Sequence, residues 1–510
     1  MRRERLRCGF LFFILSTAAF LRVLYINQPF IDLASWRESD DGTIADNFFR
    51  GHLTILLPEI SWNGPGPNYV GYEFQLTTYL ASVLYHLLGR HDWIARGIAV
   101  VFGVWGVFVF YKLVCRAFDE KQALVSCAVY AVTPIGIFVD RSFLPDPIMV
   151  PLVLTSFWML VAYLQDGRLK YLTIAVASAI FGLLTKISGA IVGLPALYAI
   201  VHQMPTRADA QLKYFCQMFA ASILVLVAVV TYYAWAIHVS KTYPPYHVAA
   251  KENWVWDSSF KLWFESNYFL PKFAYIADHW LWGIPLLALA SIGLLSAPIN
   301  YGKASLPWLF HFWLLAVAIF YAFGARELVI NIWNFNIADP ALAGLAAQGF
   351  LVLWIATSRF GKVALLLLVI AVHGLALKNL RVLYHPYARE SRELGLALAR
   401  ASQPTDLVVT IAHDVGDPTA IYYSHRRGWV FPPPWPGVSW GDIVDESSAI
   451  RLFDELRSAD AQWFGIVTTQ RARLREKMPR LWDHIERATE LVSSDPDWSV
   501  YRIEPKDTKP

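Results

Sequence analysis

Residues 214–237 read YFCQMFAASILVLVAVVTYYAWAI, twenty-four positions without one charged side chain. A helix needs about 20 predominantly apolar residues to cross the hydrocarbon core of a bilayer. A helix that is apolar on every side has to be surrounded by lipid or by a large core. This stretch therefore reads as a membrane span, and similar runs lie on both sides of it. Spans are expected near 7–26, 94–114, 122–139, 147–164, 171–185, 187–201, 214–237, 277–297, 307–324, 340–357 and 361–379, eleven in all. Only Lys186 separates the fifth from the sixth, so a broken or re-entrant pair there is an open alternative. The first run follows Arg2, Arg3, Arg5 and Arg7 as a signal peptide would. No small-residue cleavage site follows it, and it is read as a retained helix.

Composition agrees with the spans. Of 510 residues, 56% are apolar and only 16% charged, and the mean hydropathy is +0.39. A soluble globular chain carries about 25% charged residues. Trp 21, Tyr 24 and Phe 32 supply many rings, and Trp and Tyr favour the membrane–water interface. Cys8, Cys115, Cys127 and Cys216 all lie in or beside apolar runs, with no CxxC pair. They say nothing about redox compartment.

Charge divides the chain near residue 385. Residues 1–384 hold 28 Lys and Arg against 21 Asp and Glu, whereas residues 385–510 hold 16 against 19. The first part reads as a transmembrane domain and 385–510 as a soluble one. In the latter, helices are expected at 386–401, 417–425, 447–458 and 470–491, and strands at 406–412, 462–468 and 498–503. That alternation predicts a small α/β layer. A Pro/Trp segment, FPPPWPGVSW at 431–440, is a candidate lid, and His413 and Asp414 end a strand.

Orientation follows from the basic residues. With the N-terminus inside, the connections 1–7, 112–121, 165–170, 203–213, 300–306 and 358–362 hold 14 Lys and Arg in 46 residues, against ten in the far longer opposite loops. Positive residues concentrate on the cytoplasmic side. The outer loops are then 27–93, 238–276 and 325–339, and an odd number of spans puts the soluble domain outside as well. Segments 42–50 and 75–88 read as short amphipathic helices able to lie along the interface.

Candidate chemistry gathers on that outer side. Trp36-Arg37-Glu38-Ser39-Asp40-Asp41 is the densest acidic cluster. Carboxylates beside a bilayer are costly and usually serve a partner or a reaction. One could act as general base while another orients it or binds a cation; a solvated loop is the plain alternative. Asp140-Arg141-Ser142-Phe143-Leu144-Pro145-Asp146 is a second cluster, where Asp146 could also be only a favourable anion at a helix start. Lys186 lies between two apolar runs, where an ammonium either meets an anion such as phosphate or snorkels to the surface. Arg326, paired in sequence with Glu327, and Arg381 could add guanidinium clamps for a phosphate. There is no dinucleotide-binding glycine fingerprint, no Walker-type phosphate loop and no HExxH. Nucleotide hydrolysis is not expected, and outward-facing acids suit a lipid-linked donor better than a cytoplasmic nucleotide sugar.

These features together resemble the GT-C superfamily of membrane glycosyltransferases, in the branch containing aminoarabinose transferase and protein O-mannosyltransferases. The likeness covers roughly 1–385 and rests on WRESDDGTIADNFFRG in the first outer loop, Gly71-Tyr72-Glu73-Phe74, the Arg141–Asp146 segment and Thr185-Lys186. It implies a GT-C fold of about eleven transmembrane helices with a C-terminal α/β domain. It also implies an inverting transfer of a sugar from a polyprenyl-phosphate-linked donor to a lipid or glycan hydroxyl, with protein acceptors open. Asp40 best matches the family's acidic base, with Glu38 and Asp41 as rivals and Asp146 as a further catalytic carboxylate. Lys186, Arg326, Arg381 and Arg141 would hold the donor phosphate, and Tyr72, Glu73, Glu327 and Asn331 the substrates. No obligatory metal or other cofactor is expected, although a pyrophosphate-linked donor would bring in a divalent ion. The expected setting is a monomer in a bacterial cytoplasmic membrane, surrounded by membrane lipids, with no nucleic-acid partner and with active site and soluble domain facing the periplasm. An oligosaccharyl or polymer ligase using a pyrophosphate donor, and a transporter of lipid-linked substrates, are the competing readings.

Overall fold

The computed structural model describes residues 2–505 apart from 52, 206–207, 246–259, 266, 299–303, 415 and 433–444. Most of the Pro/Trp segment therefore lies outside the described residues. The chain divides into two compact units. The first comprises Met1–Ile26, Ala95–Ala234 and Asn253–Leu383, and the second Asn27–Ile94, Trp235–Glu252 and Tyr384–Pro510.

The first unit is helical. Among the described residues, five helical stretches are long and apolar enough to span a membrane: Leu6–Val23, Asp92–Ala117, Asp146–Asp166, Gln211–Thr242 and Ile332–Ala356. The protein is thus a multi-pass α-helical membrane protein. A sixth span results if Phe269–Leu281 and Ile284–Leu295 count as one, although they meet at 101°. Gly283 sits at that bend with φ +80, a conformation that costs glycine little and other residues much. Six is fewer than the eleven expected; the run expected at 361–379 lies in an unbroken 25-residue helix, Arg359–Leu383, and the other differences have local causes. The run 122–139 is cut into Glu120–Ala131 and Pro134–Val139. Pro134 has no N–H to donate and pushes Thr133 into an extended conformation. On either side of Lys186, helices Leu169–Thr185 and Gly193–His202 are 17 and 10 residues long, joined through a 3₁₀ turn at Ile187–Val192. Leu309–Phe323 has only 15 residues.

The second unit is a layered α/β body. Its sheet contains β1 (Asn63–Gly64), β2 (Leu407–Ile411), β3 (Arg427–Val430), β4 (Ala461–Val467), β5 (Thr489–Ser494) and β6 (Trp498–Ile503), in the order β1-β3-β2-β4-β6-β5. β2 runs parallel to both β3 and β4, and the outer pairings are antiparallel. Alternate residues serve opposite faces, as the two-residue period of a strand requires. Val409, Ile411, Phe464, Ile466, Tyr501 and Ile503 pack with Phe453, Leu481, Trp482 and Ile485 on one face. Val408, Trp463, Val467 and Val500 pack on the other with Leu394, Leu398, Ile421 and a group from the segment 27–93: Ile44, Phe48, Ile60, Trp62, Val70 and Tyr72. Each such apolar side chain contributes about 1.5–3 kcal/mol when fully buried.

That second face changes the reading of the loop 27–93. The segment supplies a strand and a helical layer to the same unit as the tail. The apolar side of the helix expected at 42–50 is spent on the sheet through Ile44 and Phe48, so that side is not available to lie on lipid. In the tail, the helix expected at 470–491 is two helices, Thr468–Lys477 and Pro479–Ala488, followed by β5. Pro479 opens the second helix, where its missing N–H is harmless. β3, hidden in sequence between a short helix and the Pro/Trp segment, was not expected.

Candidate functional site

The acidic cluster at 36–41 lies within a helix, Ser35–Arg50, that begins seven residues earlier than expected. Glu38, Asp40 and Asp41 are all buried. One helical turn brings Arg37 onto Asp41, with Nε 3.2 Å from Oδ2, the i,i+4 spacing at which side chains meet. Arg37 also pairs with Glu73 and lies over the Tyr72 ring, 5.3 Å from its centre. The structure thus brings Asp40, Asp41, Tyr72 and Glu73 around a guanidinium that the sequence reading had not selected.

Asp40 has an asymmetric environment. The Trp62 indole N–H donates to Oδ1 at 2.7 Å, while Oδ2 is buried with no hydrogen-bond partner among the described residues. Burial raises the Asp40 pKa; Arg37 and hydrogen bonds from Trp62 and Tyr72 oppose that rise, and Glu73 adds to it. Asp41 is pushed well above the usual carboxylate range by burial, then by Asp40 and Glu73, against the pull of Arg37. Burial and mutual repulsion favour a proton being retained between Asp40 and Asp41. Beside them, Ser39 Oγ donates to Thr419 Oγ1 at 3.1 Å, and a Cβ on Gly42 would lie 2.7 Å from the Tyr422 ring. The helix therefore has a defined rotation.

A second cluster belongs to the helical unit. Asp146 opens the helix Asp146–Asp166, next to Pro145 and Pro147. Lys186 sits in extended conformation between its two short helices and directs Nζ to Asp146 Oδ1 and Oδ2, at 2.9 and 2.8 Å, and to Asn334 Oδ1 at 2.7 Å. Its three N–H bonds are all engaged. Arg141 Nη1 donates to the Tyr25 carbonyl at 2.8 Å. Asn331 Nδ2 donates to Glu327 Oε1 at 2.5 Å. Arg381 is exposed on the helix Arg359–Leu383, and the Arg326 side chain lies outside the described residues. Among the described residues no group of three or more His, Cys, Asp and Glu is placed to hold a metal ion.

Sequence reasoning missed Arg37, Trp62, Asn334 and the buried Arg22. Arg37 had a usable signal, its i,i+4 relation to Asp41. Trp62 and Asn334 had none, being far from their partners in the chain.

Over 97% of this chain and 98% of the other, the structure superposes on ArnT from Cupriavidus metallidurans bound to undecaprenyl phosphate, with TM-score 0.65 at 14% identity. It superposes on the apo oligosaccharyltransferase of Archaeoglobus fulgidus with TM-score 0.64 at 12% identity, over 98% of this chain and 75% of that one. Residues 75–235 match the family described as dolichyl-phosphate-mannose-protein mannosyltransferase. Two curated Bacillus subtilis proteins are similar in sequence: putative mannosyltransferase YkcB, 25% identical over 188 residues, and putative mannosyltransferase YycA, 24% identical over 185. Each match covers 36% of this chain, and only 24% and 26% of those relatives' own length.

Proposed function

We propose that this protein is an inverting glycosyltransferase that moves a sugar from a polyprenyl-phosphate donor to a hydroxyl of a lipid or glycan at the outer face of a bacterial cytoplasmic membrane. The observation that carries the reading is the Asp40 carboxylate, with Oδ1 held by Trp62 and Oδ2 buried without a hydrogen-bond partner among the described residues. A raised carboxyl pKa brings a base nearer to neutral pH, where general-base catalysis is most effective. Asp40 Oδ2 takes the proton of the acceptor hydroxyl as that oxygen attacks the anomeric carbon. The bond from that carbon to the phosphate oxygen breaks, and polyprenyl phosphate leaves with the electron pair. Attack opposite the leaving group inverts the carbon.

Arg37 and Glu73 orient the base from one side, Asp41 is its neighbour, and Glu38 is the alternative carboxylate on the same helix. In the helical unit, Lys186, Arg141, Arg326 and Arg381 are assigned to the donor phosphate, with Asp146 holding Lys186 until the phosphate arrives. Tyr72, Glu327 and Asn331 are assigned to substrate contacts. A monophosphate leaving group needs little charge neutralisation beyond such cations, so no obligatory metal is assigned. The undecaprenyl phosphate carried by the ArnT structure supports the donor class. The shorter apolar helices, the broken run 122–139 and the helix Arg359–Leu383 would complete the eleven crossings, the protein acting as a monomer with its α/β unit in the periplasm.

The test incubates purified protein with polyprenyl-phosphate sugars and membrane lipid extract, and reads the products by mass spectrometry beside Asp40→Asn. Transfer by the wild type and its loss in the variant support the reading. Full transfer by Asp40→Asn moves the base to Glu38 or Asp41. Transfer from pyrophosphate-linked donors alone replaces the reading with a ligase.

A further inference from the structure

We infer that Trp62 is a positioning residue for Asp40: its indole N–H selects which carboxylate oxygen is left to take the proton. The inference rests on the reading of Asp40 as the base, and it assigns a role to a residue that no acidic or basic motif marks.

Trp62 is fixed from both ends. Its backbone lies beside β3: Gly428 N–H donates to the Ser61 carbonyl at 3.1 Å and Val430 N–H to the Trp62 carbonyl at 3.3 Å. The next residue, Asn63, is in register with Trp429. Its ring is buried in the sheet face with Ile60, Tyr72 and Val430. Neither group of the bonded pair can turn to water, so each satisfies the other. A buried indole N–H needs an acceptor, and a buried carboxylate needs donors. A second donor to Oδ2 would have made the carboxylate a structural anchor. With the indole N–H on Oδ1 and the Tyr72 hydroxyl also bonding the carboxylate, the rotamer is set, and Oδ2 has no partner among the described residues.

A merely structural indole and a positioning one differ in a measurable way. An N–H bonded to the ionised form lowers the pKa of that carboxyl. The groups facing Asp40 are Arg37 and Asp41 on its own helix and Tyr72 and Glu73 on the segment after β1. From the helix Thr419–Ser424, Tyr422 packs on Gly42, and its hydroxyl is committed to Asp92 at 2.7 Å. None of these is altered by removing the indole N–H, so a shift in the titration of Asp40 reports the bond itself.

The experiment compares wild type, Trp62→Phe, and a variant carrying benzothienylalanine at position 62, which keeps the ring shape and lacks only the N–H. Transfer is followed against pH. Independently of turnover, carbodiimide labelling of protonated Asp40 is followed against pH, with fragment mass spectrometry separating it from Asp41. The expected result is a labelling midpoint about one pH unit or more higher in both variants. The acid limb of kcat/KM should move with it, and kcat should fall at least tenfold while KM stays within twofold. An unchanged midpoint in whichever variant folds overturns the inference, even if the wild type transfers sugar. If the wild type transfers nothing from any polyprenyl-phosphate donor, the functional reading fails, and the labelling midpoint still decides whether Trp62 governs Asp40.

Discussion

Arg22 and Asp140 form a buried ion pair, with Nε and Nη2 reaching the same oxygen, Oδ2, at 2.9 and 2.8 Å. Arg22 stands in the last turn of the N-terminal helix Arg2–Val23, and its Nη1 also donates to the Ala131 carbonyl at 2.8 Å. Asp140 begins the buried loop that leads through Arg141 to Asp146. The pair thus joins two distant parts of the chain just ahead of a candidate catalytic segment.

Breaking a buried pair by removing one partner leaves an uncompensated charge and costs about 3–5 kcal/mol. Arg22→Met is expected to lose that much stability, and Arg22→Met/Asp140→Leu to recover most of it. Heating detergent-solubilised protein and measuring the remaining monodisperse fraction checks both. A double variant no better than the single one would show that the pair is not what holds the loop.

Lys186 holds Asp146 with both carboxylate oxygens engaged. Lys186→Met is expected to lower transfer at least a hundredfold, and Lys186→Arg to restore little of it. A planar guanidinium does not reproduce three donors radiating from one nitrogen. Rates measured at saturating donor, together with donor affinity, separate a lost phosphate contact from a displaced Asp146.

Asp417 lies in the α/β unit, where burial, with a smaller push from Asp414, raises its pKa to about 6 despite hydrogen bonds from Thr419 and the nearby His413. A carboxyl raised on folding binds its proton more tightly in the native state. Its stabilising contribution is therefore full below about pH 4, declines as pH rises towards 6, and is absent above that. Asn imitates the protonated form, so Asp417→Asn should match the wild type at pH 4 and exceed it by about 3 kcal/mol above pH 7. Thermal unfolding across that range tests it; a difference that is flat with pH would contradict the assignment.

Gly42 touches the Tyr422 ring, and that ring is tied through its hydroxyl to Asp92 at 2.7 Å. Arg90 lies over its face, 4.5 Å from the centre. The ring cannot withdraw, so Gly42→Ala is expected to cost about 1–3 kcal/mol, as overpacking of a close-packed interior does. The same change should lower transfer, since it rotates the helix that carries Asp40. A fully stable and active Gly42→Ala would show that this contact is soft.

Chelation is expected to leave transfer from a monophosphate donor within twofold of the untreated rate. EDTA treatment followed by re-addition of Mg²⁺, Mn²⁺ or Zn²⁺ measures this directly. Activity abolished by EDTA and restored by one ion would add a metal to the mechanism.

Much of this protein was readable locally. The uncharged run 214–237 lies within a 32-residue apolar helix, where each apolar residue adds its own transfer free energy towards lipid whatever it packs against. The carboxylates of 38–41 and Asp146 stood out because charge is rare in such a chain. Strand periodicity marked β2, β4 and β6. Partnership was not readable. Trp62 is one of 21 tryptophans, and nothing in its neighbourhood distinguishes the one that meets Asp40. Asn334 meets Lys186 across 148 residues. The first outer loop looked like a loop because its sheet partner, β3, is encoded more than 350 residues later. Composition and period are sums over neighbours in sequence, and they determined the long apolar helices and the candidate acids. Which donor faces which acceptor depends on strand register and helix rotation, set by packing between distant segments, and only the tertiary structure decided that.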